Sequence, residues 1–300
     1  MISDAVPEIP QLNPTDPARR GIKKGLYLLP SAFTAANVGM GFYAVMGALR
    51  GFQLLGVGSE DDVLRATAHF DNAARAIGWA VLFDSLDGRI ARMTKTTTEI
   101  GVQFDSIADV LTFGIAPAVL AYAWGYGAAL ADGSGLHKLG WFLSFMFLIC
   151  GAFRLARFNV QGTRPRPLAE GTVKVDKKSF VGLPIPAAAG LIAAIVHFTP
   201  QPLSVYGLES GQIYSGLLMI LIAILAALMV STLRYSSFKS VGDERRSTRI
   251  VIVLIAAVGM LVWLYSRYVL LAIVSLYVFH GVGLRFVSLL RRRSVTSQSS

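Results

Sequence analysis

The sequence predicts an all-α, polytopic membrane bundle of about eight transmembrane helices, and three observations carry that prediction. Hydrophobic residues make up 54% of the 300 positions and charged ones only 15%, with a mean hydropathy of +0.56. That balance belongs to a lipid-embedded chain and excludes an ordinary soluble enzyme. Apolar runs of spanning length recur between polar links from Leu26 to Leu290. The net charge of +10 lies between those runs instead of forming one basic face, which suits an anionic membrane surface better than a nucleic acid. The single cysteine, Cys150, stands inside an apolar run, so no intrachain disulfide can form.

Residues 1–25, with prolines, acids and then Arg19, Arg20, Lys23 and Lys24, read as a cytoplasmic tail without the apolar core of a secretory signal. Residues 26–290 read as one transmembrane domain. The first run, about Leu26 to Leu49, contains Pro30, Thr34 and Asn37; Asn37 either bonds a neighbouring helix or faces a ligand pocket. Residues 50–70 are expected to form an extramembrane loop with a short helix. The second run, about Asn72 to Arg92, and the third, about Val102 to Tyr126, are joined by the link Met93 to Ile100. Thr98 and Glu99 resemble a helix start that would offer free backbone N–H groups to phosphate, and Pro117 should kink the third helix.

The fourth run, about Leu139 to Phe158, ends in FRLARFNV, which brings Arg154 and Arg157 to one helix face. Basic residues there serve as topology anchors or clamp a phosphate or carboxylate. A basic loop over 159–181 leads to GLPIPAAAG, where Pro184 and Pro186 open the fifth run and His197 closes it as an interfacial residue. The sixth run, about Ile213 to Leu233, is followed by Arg234, Tyr235 and Lys239 at a membrane boundary. A seventh run ends near Tyr265 and an eighth extends from about Tyr268 to Leu290. Arg291, Arg292 and Arg293 begin a Ser-rich tail, 291–300, that is expected to be disordered.

With both termini inside, all but Arg50, Arg65, Arg75, Lys138 and Arg267 of the 28 Lys and Arg residues fall on the inner side, which is the orientation the positive-inside rule selects. The expected location is therefore the cell (inner) membrane, with both termini cytoplasmic. The same topology puts the link after the second run at the cytoplasmic leaflet.

Four carboxylates interrupt the second and third runs. Asp84, Asp87, Gly88, Ala91 and Arg92 fall at i, i+3, i+4, i+7 and i+8 and form one helical stripe, while Gly101, Asp105 and Asp109 form a second at intervals of four. A short link lets the second helix fold back on the first, so the acids converge. Four unpaired acids at bilayer depth would cost about 10 kcal/mol or more at roughly 2.5–3.5 kcal/mol each. Divalent cations are the natural compensation, since hard cations take carboxylate oxygens and two can share four such ligands. Gly88 and Ala91 keep the same face free of bulk, and Arg92 adds a charge suited to phosphate.

The spacing D-x2-D-G-x2-A-R-x8-G-x3-D-x3-D over residues 84–109 resembles the signature of the CDP-alcohol phosphotransferases. That resemblance implies a helical homodimer that uses two divalent ions, Mg2+ or Mn2+. It implies that Asp84, Asp87, Asp105 and Asp109 are metal ligands, with Asp105 and Asp109 at the catalytic centre and Asp109 as general base. It further implies that Gly88, Ala91 and Arg92 line the CDP site, with Asn37 and Thr98 as further contributors. FRLARFNV at 153–160, FVGLPIPAAA at 180–189 and MVSTLRYSSFK at 229–239 resemble segments of the serine-using membrane branch of the same family. The implied reaction is phosphatidyl transfer from CDP-diacylglycerol to the hydroxyl of L-serine, with CMP leaving.

A zwitterionic acceptor needs a cation for its carboxylate and acceptors for its ammonium; Arg154, Arg157, Asn159, Arg234 and Tyr235 are the candidates at the inner boundary. A sister phosphotransferase using glycerol 3-phosphate, inositol phosphate or choline is the alternative within the class. A cation or proton transporter is the alternative from another class, but it leaves Gly88, Ala91 and Arg92 without a role.

Overall fold

A computed structural model of the chain describes residues 17–56, 58–94, 99–163, 179–236 and 248–296. Within these, the side chains of 17–31, 91, 92, 94, 99, 161–163, 179–181, 234–236, 248–255 and 282–296 lie outside the description. The described residues are helical except for one short two-stranded ribbon and the links between elements. Helix α1 (Pro17–Leu55) packs along α2 (Glu60–Thr94). The chain returns through α3 (Glu99–Asp109), a π-helical turn (Val110–Ile115), α4 (Ala116–Ala121) and a second π-helical turn (Tyr122–Tyr126). Then follow α5 (Gly135–Thr163), strand β1 (Ser179–Val181), α6 (Ile185–Phe198), a 3-10 turn (Leu203–Tyr206), α7 (Leu208–Val230), strand β2 (Arg234–Ser236) and α8 (Thr248–Thr296).

Among the described residues, five helical stretches are long and apolar enough to cross a membrane: Ala32–Leu55, Ile100–Tyr126, Gly135–Val160, Leu208–Val230 and Ala256–Gly281. Ile185–Phe198 is apolar but shorter. This count is lower than the apolar runs expected. The acids and arginines of α2 dilute its hydropathy, and α8 joins the seventh and eighth runs. A break at Tyr265 (φ −132°, ψ 43°) divides α8 into two helical segments, at the boundary where the sequence separates those runs.

The expected loop over 50–70 requires correction, because it is mostly helix. α1 continues to Leu55 and α2 begins at Glu60. Ser59 makes the early start possible: its Oγ accepts the Asp62 backbone N–H at 3.1 Å and its hydroxyl donates to the Asp62 carboxylate at 2.5 Å. Glu60, Asp61 and Asp62 then occupy the first turn, where acids favour the helix dipole. The outer helix boundaries also differ from expectation. α1 begins at Pro17, a residue suited to a helix N-terminus, and α8 continues to Thr296.

The core lies where α1, α2, α4 and α6 meet. Ala44, Ala48, Ala66 and Ala73 are fully buried, and such small residues let helices approach closely in lipid. Away from the acids, three helices are tied by one polar chain. The buried His197 at the end of α6 donates from Nδ1 to Asp71 of α2 at 2.5 Å, and its Nε2 shares a hydrogen bond of 2.9 Å with the Ser266 hydroxyl of α8. His197 thus closes its run as a buried tie between α2 and α8. Asp71 stands just ahead of the second apolar run. Burial raises its carboxyl, but the hydrogen bond and charge of His197, with Arg75 and Arg267, outweigh this and hold it below the usual range. Asp84 is roughly 20 Å further along α2 at 1.5 Å per residue, so the tie and the acids occupy different depths.

Candidate active site

The two stripes of acids meet as the sequence predicts. Asp84 of α2 and Asp105 and Asp109 of α3 bring one carboxylate oxygen each to within 4.8 Å of one another. Asp87, one turn beyond Asp84, is buried and within electrostatic reach of the other three. It is held from α1, where the Thr34 hydroxyl donates a short hydrogen bond to Asp87 Oδ2. Asp109 Oδ1 is shut off from solvent and has no hydrogen-bond partner among the described residues.

Converging carboxylates in a low dielectric repel one another, and buried oxygens without donors add a desolvation cost. The chemistry of this donor set fits a hard divalent cation, which takes oxygen ligands and cancels both penalties.

Local structure sets the acids in place. Asp109 is the last residue of α3, and the π-helical turn Val110–Ile115 starts immediately after it. Pro117 follows, at the start of α4. Proline has no N–H to continue an α-helical ladder, and the wider turn ahead of it resets the register. The irregular turn that precedes Pro117 thus stands directly after the acids. The same turn brings Thr112 against α1, where its hydroxyl donates to the Asn37 carbonyl at 3.2 Å. The approach is close: a Cβ on Gly41 would stand 2.5 Å from Thr112 Oγ1 and 2.8 Å from its Cα.

Asn37 is 1% exposed, and neither Oδ1 nor Nδ2 of its side chain has a partner among the described residues. Of its two expected roles, bonding to a neighbouring helix is not the one it takes there. Gly88 and Gly101 are both exposed on their helices beside the acids. The side chains of Ala91 and Arg92, and the whole of Thr98, lie outside the described residues.

The three segments that suggest a serine acceptor come together although they are far apart in sequence. A Cβ on Gly151, one turn before Arg154, would stand 2.4 Å from Ile185 Cδ1 and 3.7 Å from Met229 Sδ. Strands β1 and β2 pair antiparallel, with Phe180 opposite Tyr235 and Val181 opposite Arg234. Gly182 (φ +84°) makes the turn beside them, and its N–H donates to the Leu233 carbonyl at 2.8 Å. Arg154 is buried, its Nε has no partner among the described residues, and it lies within electrostatic reach of Asp109. Arg157 is half-buried one turn on. Asn159 donates from Nδ2 to Ser106 of α3 at 2.8 Å, which links α5 to the turn carrying Asp105. The side chains of Arg234 and Tyr235 lie outside the described residues.

Sequence reasoning missed Thr34 as the support of Asp87 and Thr112 as the support of Asn37. A signal was present: Thr34, Asn37 and Gly41 fall at i, i+3 and i+7, a polar and small stripe on an otherwise apolar helix.

A helical integral membrane protein with a cluster of acids gathered from two neighbouring helices is the class that fold and site define. The chain belongs to the CDP-alcohol phosphatidyltransferase family, whose model matches residues 27–230. A Helicobacter pylori protein named CDP-diacylglycerol–serine O-phosphatidyltransferase is 32% identical over 257 residues, covering 86% of this chain and 90% of its own. Proteins of the same name from Methanocaldococcus jannaschii and Saccharomyces cerevisiae are 32% and 36% identical; they cover 56% and 55% of this chain and 65% and 51% of their own.

Proposed function

We propose that this protein transfers the phosphatidyl group of CDP-diacylglycerol to the hydroxyl of L-serine, giving phosphatidylserine and CMP. The observation that carries this reading is the convergence of Asp84, Asp105 and Asp109 within 4.8 Å, on the motif spacing of a family in which similar chains bear that activity in their names. Asp84, Asp87, Asp105 and Asp109 hold two divalent ions, Mg2+ or Mn2+. When bound, these neutralise the pyrophosphate and stabilise charge on the departing phosphate. Gly88, Ala91 and Arg92 line the CDP site, and Asn37 and Thr98 add polar contacts there.

Asp109 accepts the proton of the serine hydroxyl. The serine oxygen bonds to the lipid-linked phosphorus, the bond from that phosphorus to the CMP oxygen breaks, and CMP departs. Arg154 pairs with the serine carboxylate, and Arg157, Asn159, Arg234 and Tyr235 complete the acceptor site. The distribution of Lys and Arg supports an inner-membrane protein with both termini cytoplasmic and the acids at the cytoplasmic leaflet. That leaflet admits both a cytosolic acceptor and the nucleotide headgroup. Residues 26–290 act as one catalytic domain between two tails, in a homodimer.

The test is CMP release by purified protein from CDP-diacylglycerol with serine, glycerol 3-phosphate, inositol phosphate or choline, with and without chelator. Release with serine, lost on chelation and restored by Mg2+ or Mn2+, is expected. Release with another acceptor but not serine, or full activity in chelator, would overturn the reading.

A further inference from the structure

Away from the acids, three side chains from three helices line up in the order hydroxyl, imidazole, carboxylate. Ser266 Oγ stands 2.9 Å from His197 Nε2, and His197 Nδ1 stands 2.5 Å from Asp71 Oδ1. The second oxygen of Asp71 is taken by the Arg75 guanidinium at 2.8 Å. With both oxygens engaged, Asp71 orients the imidazole and fixes a proton on Nδ1. The neutral ring then turns its Nε2 lone pair to the serine hydroxyl. Nucleophile to base and base to orienting acid are both within hydrogen-bond reach, the geometry by which an activated serine is recognised whatever the fold.

A tie between helices asks for less than this. Ser266 directly follows Tyr265, where α8 leaves helical geometry, and it is half-buried, not enclosed. Tyr265 and Tyr268 on either side of it are exposed. Tyr268 stands edge-on to Phe198, the neighbour of His197, with ring centroids 5.5 Å apart. The hydroxyl therefore lies beside an apolar, aromatic surface suited to an acyl chain. Asp71, His197 and Ser266 all stand at boundaries of apolar runs, the depth at which the ester groups of a lipid meet water. Arg75 and Arg267, both exposed, add positive charge for a phosphate next to such an ester.

We propose that Ser266, His197 and Asp71 form a second catalytic centre, an acyl hydrolase that acts on the carboxylic ester of a membrane phospholipid. The Ser266 oxygen bonds to the ester carbonyl carbon while its proton passes to His197 Nε2. The bond from that carbon to the glycerol oxygen breaks, and the lysolipid leaves with the proton from Nε2. Water then attacks the acyl-serine, its proton passes through Nε2 to Ser266 Oγ, and the fatty acid departs. Asp71 is roughly 20 Å from Asp84 along α2 at 1.5 Å per residue, so this chemistry does not depend on the phosphatidyl transfer proposed above.

The experiment treats the full chain, purified in detergent as its monodisperse fraction, with a fluorescent fluorophosphonate, which phosphonylates activated serines. Peptide mass spectrometry locates the adduct. A second arm measures fatty acid released from vesicles of phosphatidylethanolamine and phosphatidylglycerol with labelled acyl chains. Wild type is expected to carry the adduct on Ser266 and to release fatty acid. Both should vanish in Ser266→Ala while CMP release continues. His197→Gln and the shape-preserving Asp71→Asn should each slow adduct formation by about 100-fold or more, the scale of losing a general base or its orientation. No adduct on Ser266, an adduct formed as fast in His197→Gln or Asp71→Asn, no fatty acid released by wild type, or release undiminished in Ser266→Ala would each overturn the proposal and leave the three residues as a helix tie.

Discussion

Thr34 on α1 donates its hydroxyl hydrogen to Asp87 on α2, a residue 53 positions away in the chain. The bond takes up one oxygen of the carboxylate and orients the other. Groups that orient metal-ligating side chains change metal affinity by about 10- to 100-fold when removed. Thr34→Val is therefore expected to raise the Mg2+ or Mn2+ concentration for half-maximal activity by about that factor, with serine KM unchanged. A metal titration of CMP release checks it, and an unshifted midpoint would free Asp87 from dependence on α1.

Asp109 ends α3 with a buried oxygen that no described residue satisfies. Asp109→Asn keeps the shape and removes the base. Loss of turnover by about 10²- to 10⁴-fold is expected, with CDP-diacylglycerol binding retained within a few fold. Near-normal turnover would remove Asp109 from the chemistry.

Gly41 lies where a Cβ would stand 2.8 Å from the Thr112 Cα, and backbone cannot swing aside as a side-chain tip can. Gly41→Ala should push α1 away from the π-helical turn and lower stability by about 1–3 kcal/mol. Activity should fall with it, because the Asn37 backbone and Thr112 separate. Thermal unfolding in detergent, read beside CMP release, tests whether both fall together.

Asp71 ties α2 to α6 through His197. Its folded-state carboxyl titrates below its ordinary value, chiefly because the hydrogen bond and charge of His197 outweigh burial. The stability it contributes is present above the ordinary carboxylate range and is lost as pH falls through the lowered value. Asp71→Asn is expected to cost about 1–3 kcal/mol at neutral pH and progressively less in acid. A plot of Tm against pH for both proteins gives the answer. Parallel curves would mean that His197 is held by something else.

The helical spans and the acid cluster were legible because each is a local pattern. Apolar runs of fixed length announce a membrane, and carboxylates at intervals of three and four announce a shared helix face. The loop over 50–70 was misread because Glu60, Asp61 and Asp62 look like solvent-exposed loop residues until Ser59 is seen to cap them. The partners of His197 could not be read from the sequence because Asp71 and Ser266 are 126 and 69 residues away.

By itself the sequence determined the membrane setting, the two stripes of acids and the family they mark, since helical periodicity translates spacing directly into a common face. Only the tertiary structure decided that Thr34 supports Asp87, that the segments around Gly151, Ile185 and Met229 converge, and that His197 joins Asp71 to Ser266. Those relations depend on which helix lies beside which, and packing between distant segments leaves no periodic trace in either one.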